Sequence, residues 1–327
     1  MIQYLVILLD DTSVSYCHYA VGQREQHLMP IDTLHEGITY AMRENLNVQF
    51  VLPDYDLPQN YLAEMDRVDH SIIMPAGRSM EADVLVIDGL QQMQEAILDE
   101  HGTYVLRLGR QDFFAHAQDL AGMLGRVGRL NVVITDVEAF TENDLTRYAD
   151  ALRVLSDEAE RLLLAGHSVQ ANLLTDRMML DGMNNCGAGD TTITLAPDGR
   201  FYVCPAFYLA QGHDAIGDWK SSVGDLQHGL DIRNPQLYRL SHAPICRHCD
   251  AWQCRRCVWL NRLTTYEVNT PSHQQCVLAH LERNASRALL HAVRRHGTFL
   301  PERGDISEET CLDPFDQRKQ WEQDEQH

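Results

Sequence analysis

Four thiols stand within twelve residues in this 327-residue chain: Cys246, Cys249, Cys254 and Cys257. Thiolates so closely spaced converge only if the backbone turns tightly around a soft centre, which is the chemistry of zinc and of iron–sulfur clusters. Cys186 and Cys204 precede this block and Cys276 follows it, so seven of the nine cysteines fall between positions 186 and 276. Cys17 and Cys311 stand apart, near the two ends. Arg247, Arg255, Arg256 and Arg262 flank the block. A centre held by four thiolates carries net negative charge that guanidinium groups would offset, although each arginine singly also reads as solvated surface. Histidines at 213, 228, 242, 248 and 273 are scattered through the same region and read first as hydrogen-bonded or surface residues.

A second group of reactive side chains lies near the start. Asp10, Asp11, Cys17 and His18 share one polar stretch and could bind a cation or act as acid and base. Paired aspartates also make ordinary turns, and Asp54 and Asp56 invite the same two readings.

The elements that must position these residues alternate. Residues 2–9 are a continuous apolar run of strand length. A helix is predicted over 31–45, with Leu34, Ile38, Met42 and Leu46 on its apolar side. Strands follow at 48–52, 72–74, 84–87, 104–108, 132–135 and 171–174, with helices near 90–99, 111–124 and 141–165. Strands and helices in this rhythm mean βαβ units and a parallel sheet, either an open, partial (β/α) barrel or a doubly wound sheet. No Gly-x-Gly-x-x-Gly follows any of these strands, which leaves a dinucleotide site unsupported. In such a barrel chemistry sits in loops after the strands, and the Asp10–Tyr19 stretch is the first of them. Further on, β-formers on both sides of Pro197, Asp198 and Gly199 predict a hairpin flanked by Cys186 and Cys204. Pro271, Ser272 and Gln275 predict a helix start, with Cys276 in its first turn, Leu278, Leu281, Ala285, Leu289 and Val293 as its buried stripe, and a stop at Gly297.

The net charge of −20 argues against a nucleic-acid binder, and lysine is confined to Lys220 and Lys319. No run reaches the ~18 apolar residues of a membrane span. The opening has neither basic leader nor small-residue cleavage site, so a cytoplasmic protein with reduced cysteines is expected.

Cys186, twelve residues, Gly199, four residues, Cys204, the Cys246–Cys257 block and Cys276 resemble the SPASM domain. That domain is the C-terminal extension of many radical SAM enzymes that modify ribosomally made peptides, where it holds two auxiliary 4Fe–4S clusters. The last two gaps of the central block are each one residue shorter here than is usual in the family. Arg255 and Arg256 stand where small glycines are common. The resemblance implies an outer cluster on Cys246, Cys249, Cys254 and Cys276 and an inner one on Cys186, Cys204 and Cys257. The inner set lacks a fourth cysteine: Asp181 or another residue would complete it, or an iron is left open to a peptide group. A closed zinc site on Cys246, Cys249, Cys254 and Cys257 is the alternative.

The resemblance also implies a radical SAM barrel, yet its CxxxCxxC motif is absent. Tyr16 and Cys17 match the motif's tail, while Asp10 and Val14 replace its first two cysteines. The glycine-rich SAM-binding motif after the second strand is absent too. The chain thus resembles a degenerate radical SAM protein for which SAM is not expected, and its opening is similar to the CXXX-repeat peptide maturases. Residues 1–180 would form the partial barrel, 181–297 the SPASM-like domain with its closing helix, and 298–327 a polar tail holding an unligated Cys311. The implied partners are a cysteine-rich precursor peptide and an active radical SAM or other modifying enzyme. A non-catalytic adaptor or electron-transfer role, or a zinc-stabilised peptide binder, is the competing reading.

Overall fold

The computed structural model describes residues 1–22, 24–78, 80–210 and 222–306; Cys311 and His213 lie outside them. Six strands and their helices alternate through the first half: β1 (Tyr4–Leu8), α1 (Ile31–Glu44), β2 (Asn47–Val51), α2 (Gln59–Met65), β3 (His70–Pro75), β4 (Val84–Asp88), α3 (Leu90–Glu95), β5 (Thr103–Leu108), α4 (Arg110–Ala115), α5 (Ala117–Met123), β6 (Arg129–Ile134) and α6 (Glu142–Leu164). The second half holds α7 (Asp176–Met179), β7 (Thr192–Leu195), β8 (Phe201–Tyr202), α8 (Ala206–Leu209), the short pair β9 (Gly224–Asp225) and β10 (Gly229–Leu230), α9 (Val258–Thr265) and α10 (His273–Arg294).

Strands β1 to β6 pair in parallel in sequence order, so every crossover moves the chain the same way round. A doubly wound sheet would reverse direction part-way, whereas sequential winding produces an open (β/α) barrel. Both faces are apolar, as parallel strands require. Leu5 and Ile7 of β1 pack with Leu34, Ile38 and Ala41 of α1, while Val6 and Leu8 face the other core with Val51, Ile73 and Leu106. At the other edge of β1, β7 joins in parallel, and β8 returns antiparallel through the predicted hairpin. Gly199 turns that hairpin at φ +77°, a conformation glycine adopts without Cβ strain.

Several expected elements differ. The stretch 171–174 is one parallel bridge, Ala171 to Leu130, because the Ala171 carbonyl accepts the N–H of Thr175 and the chain turns. The helix expected over 111–124 breaks at His116, whose ψ of 23° leaves the helical range. Met42 is 56% exposed. Steps of four residues drift around a helix of 3.6 per turn, so the stripe passes to Gly37 and Ala41 instead.

Helix α6 opens with a reciprocal capping box between Thr141 and Asp144, and α10 with Ser272 accepting the Gln275 N–H at 3.2 Å. The two long helices pack together, and the Tyr148 hydroxyl donates to Glu282 across them at 2.7 Å. Residues 298–306 fold back on α10: Arg294 donates to the carbonyls of Phe299, Leu300 and Arg303, and Ile306 is buried. Among the described residues no helix is long and apolar enough to cross a membrane.

Candidate metal centres

Cys246, Cys249, Cys254 and Cys276 line one partly open pocket, together with Met183, Arg256 and His280. Three elements deliver them. A single 3₁₀ turn, Cys246–His248, presents Cys246, an irregular turn carries Cys249 and Cys254, and the first turn of α10 supplies Cys276. Backbone N–H groups already point at the sulfurs: Ala251 donates to Cys249 at 3.4 Å, and the Arg256 amide donates to Cys254. Burial pushes the Cys246 thiol up to about 11, opposed by the Arg256 charge, and burial drives Cys254 up as well. Such thiols stay protonated at neutral pH.

Arg256 is the charged wall of this pocket. It is 1% exposed and holds φ +47°, a glycine-like conformation. Its Nε donates to Asn185 Oδ1 at 2.9 Å and one Nη to the Tyr238 carbonyl at 2.5 Å. The other Nη is buried without a partner, a donor suited to the sulfur of an anionic cluster.

Cys186, Cys204 and Cys257 form a second group, packed against the larger apolar core. The Cys186 amide donates to the Arg255 carbonyl at 3.0 Å, which ties the hairpin entrance to the cysteine block. Cys257 caps α9 and accepts the Leu260 N–H at 3.5 Å, while Cys204 accepts amides at the start of α8. Burial drives Cys257 far above the ordinary thiol range, and the charges of Cys186, Cys17 and Cys204 add to it. Cys17, in the loop after β1, lies within electrostatic reach of the same three thiols. Among the described residues no set of three or more His, Cys, Asp or Glu is arranged to hold a single metal ion. A cluster asks for a wider set, because each of its ligands sits on a different iron.

The other candidates go elsewhere. Asp10 is a buried turn residue, accepting from Thr12 N–H at 2.8 Å and the Tyr55 hydroxyl at 2.7 Å. Asp11 accepts from the Tyr208 hydroxyl at 2.5 Å with Arg24 nearby. His18 Nδ1 donates to the Ile134 carbonyl at 2.8 Å, and burial lowers its pKa, so the ring is neutral. Asp54 is exposed, and Asp56 pairs with Arg78 at the surface. Asp181 is 87% exposed and paired with Arg303 at the surface. His228 bonds to Asp225 and His242 to Ser241, and His248 is exposed. His280 was missed: its Nε2 lies 3.7 Å from Cys249 Sγ. The signal was its spacing, four residues after Cys276 on one helix face.

No family model matches the sequence, and no curated protein matches it. Among solved structures, native anSMEcpe with bound AdoMet is similar, with a TM-score of 0.57 at 13% identity over 89% of this chain and 99% of that one. The same protein with bound AdoMet and Cp18Cys peptide gives 0.57 at 12% identity, covering 90% and 100%. Streptococcus suis SuiB bound to S-adenosylmethionine overlays more loosely, at 0.47 and 13% identity over 84% and 77%. The chain therefore has the fold of a radical SAM-type partial (β/α) barrel followed by a cysteine-rich C-terminal region.

Proposed function

We propose that this chain is a SPASM-type iron–sulfur protein of peptide maturation, acting on a ribosomally made, cysteine-rich precursor. The observation that carries the reading is the sorting of the C-terminal thiols into two groups. Cys246, Cys249, Cys254 and Cys276 share one pocket, while Cys186, Cys204 and Cys257 gather against the larger apolar core. The first group would hold an outer 4Fe–4S cluster and the second an inner one. Bound clusters supply one-electron transfer at potentials set by charge and hydrogen bonding around the sulfurs. The chain's own part is to bury the thiols, aim amide N–H groups and the Arg256 guanidinium at them, and exclude water. Residues 1–180 serve as the peptide-facing barrel, 181–297 as the cluster domain, in a cytoplasmic protein with reduced thiols.

AdoMet is present in the anSMEcpe structures named above. In this chain the loop after β1 carries one thiol, too few to hold a radical-generating cluster with an iron open to AdoMet. Radical initiation then belongs to a partner maturase, and the single-thiol loop favours a supporting role over catalysis by this chain alone.

The test is an anaerobic incubation of the full chain with AdoMet and a synthetic Cys-x-x-x repeat peptide, with and without a radical SAM maturase. We expect the peptide to perturb the electron paramagnetic resonance (EPR) of the reduced protein, and its mass to change only when both proteins are present. Peptide modified by this chain alone would overturn the supporting role, and a peptide that neither perturbs the spectrum nor reacts would overturn the peptide role.

A further inference from the structure

We propose that Cys17 is the fourth ligand of the inner cluster, joining Cys186, Cys204 and Cys257. The proposal rests on the reading of this chain as a cluster-binding protein. The loop after β1 would then serve the C-terminal half, and the inner cluster would have no open iron.

Contacts from three sides tie the loop that carries Cys17 to the segments bearing the other thiols. Tyr19 stacks edge-on against Trp259, two residues past Cys257, with ring centroids 6.3 Å apart. Val21 bridges Ala210, and Asp11 accepts from Tyr208, which fixes the same loop to the segment that begins at Cys204. From inside the barrel Arg107, 3% exposed, donates to the Cys17 carbonyl at 2.9 Å and to the Tyr19 carbonyl at 2.6 Å. The backbone at position 17 is thus held by buried contacts before any cluster arrives, the pre-organisation a ligand needs. All four cysteines pack against the same apolar core.

The neighbouring donors are engaged elsewhere. Asp10 is occupied by Thr12 and Tyr55, His18 by the Ile134 carbonyl, and Asp181 by Arg303 at the surface. The thiols of Cys17, Cys186, Cys204 and Cys257 stand within electrostatic reach of one another.

The experiment compares the full-length wild type with Cys17→Ala, Cys17→Ser and Cys186→Ala, all prepared anaerobically. Iron per chain is counted, and EPR spectra of the reduced proteins are recorded with and without cyanide, a ligand for open iron. For Cys17→Ala we expect iron to fall from about eight to between about four and seven. The signal that Cys186→Ala abolishes should also vanish in Cys17→Ala or become cyanide-sensitive. Should Cys17→Ala not fold, Cys17→Ser decides, because a hydroxyl ligand shifts that signal while preserving the side chain's size. Unchanged iron with cyanide-insensitive, wild-type spectra in the folded Cys17 variant overturns the proposal alone. A wild type without iron overturns the cluster reading itself, and the proposal with it.

Discussion

Arg256 concentrates the residue-scale argument. A non-glycine at φ +47° costs about 1 kcal/mol, and here that strain coincides with a buried guanidinium that has one free Nη beside four thiols. Replacing it with glycine, Arg256→Gly, relieves the backbone but deletes the contacts to Asn185 and Tyr238 and, among the described residues, the only arginine lining that pocket. We predict a lower thermal midpoint and an outer-cluster reduction potential shifted negative by roughly tens of millivolts in a redox titration. An unchanged potential would mean that the guanidinium does not act on the cluster. At this scale the sequence was partly legible. The cysteines announced themselves by type and spacing, and Arg256 by standing where glycine is common. The roles of Asp10 and Asp11 were not legible, because turn and ligand aspartates differ only in what lies across from them. Tyr55 and Tyr208, the residues across from them, come from distant segments.

Among the elements, the α6–α10 pair carries a pH dependence. Glu282 lies half-buried between the helices, accepting from Tyr148 at 2.7 Å and Gln253 at 3.3 Å. Burial raises its pKa from 4.5 to about 7, opposed by the Tyr148 and Gln253 hydrogen bonds. The protonated form is the one the folded state prefers, so the associated stability is whole below pH 4.5 and is lost as pH rises through 7. At pH 8 the carboxylate costs about 3 kcal/mol. Glu282→Gln keeps the shape and one acceptor without the charge. Its thermal midpoint should exceed wild type at pH 8 and lose the advantage near pH 5; parallel curves across that range would refute the assignment. Helix α10 itself was legible from Ser272, Gln275 and its apolar stripe. The end of its packing was not, since the backbone acceptors that Arg294 finds in 298–306 leave no mark on composition.

For the whole molecule, parallel winding was readable because apolar strand runs recur with helical patterns between several of them, and both sheet faces are covered. What local pattern could not supply is the seam between the halves. It consists of Tyr19 on Trp259, Asp11 with Tyr208, and Arg177 Nε donating to the Asp250 carbonyl at 2.6 Å. These contacts join segments far apart in the chain, and the first two hold the loop that carries Cys17 against the C-terminal half.

The central claim is that these gathered thiols hold two iron–sulfur clusters. Its most direct measurement is iron, zinc and acid-labile sulfide per chain in full-length protein purified without oxygen. The account predicts about eight iron and about eight sulfide, with broad brown absorption. A colourless protein holding stoichiometric zinc and no sulfide would contradict it.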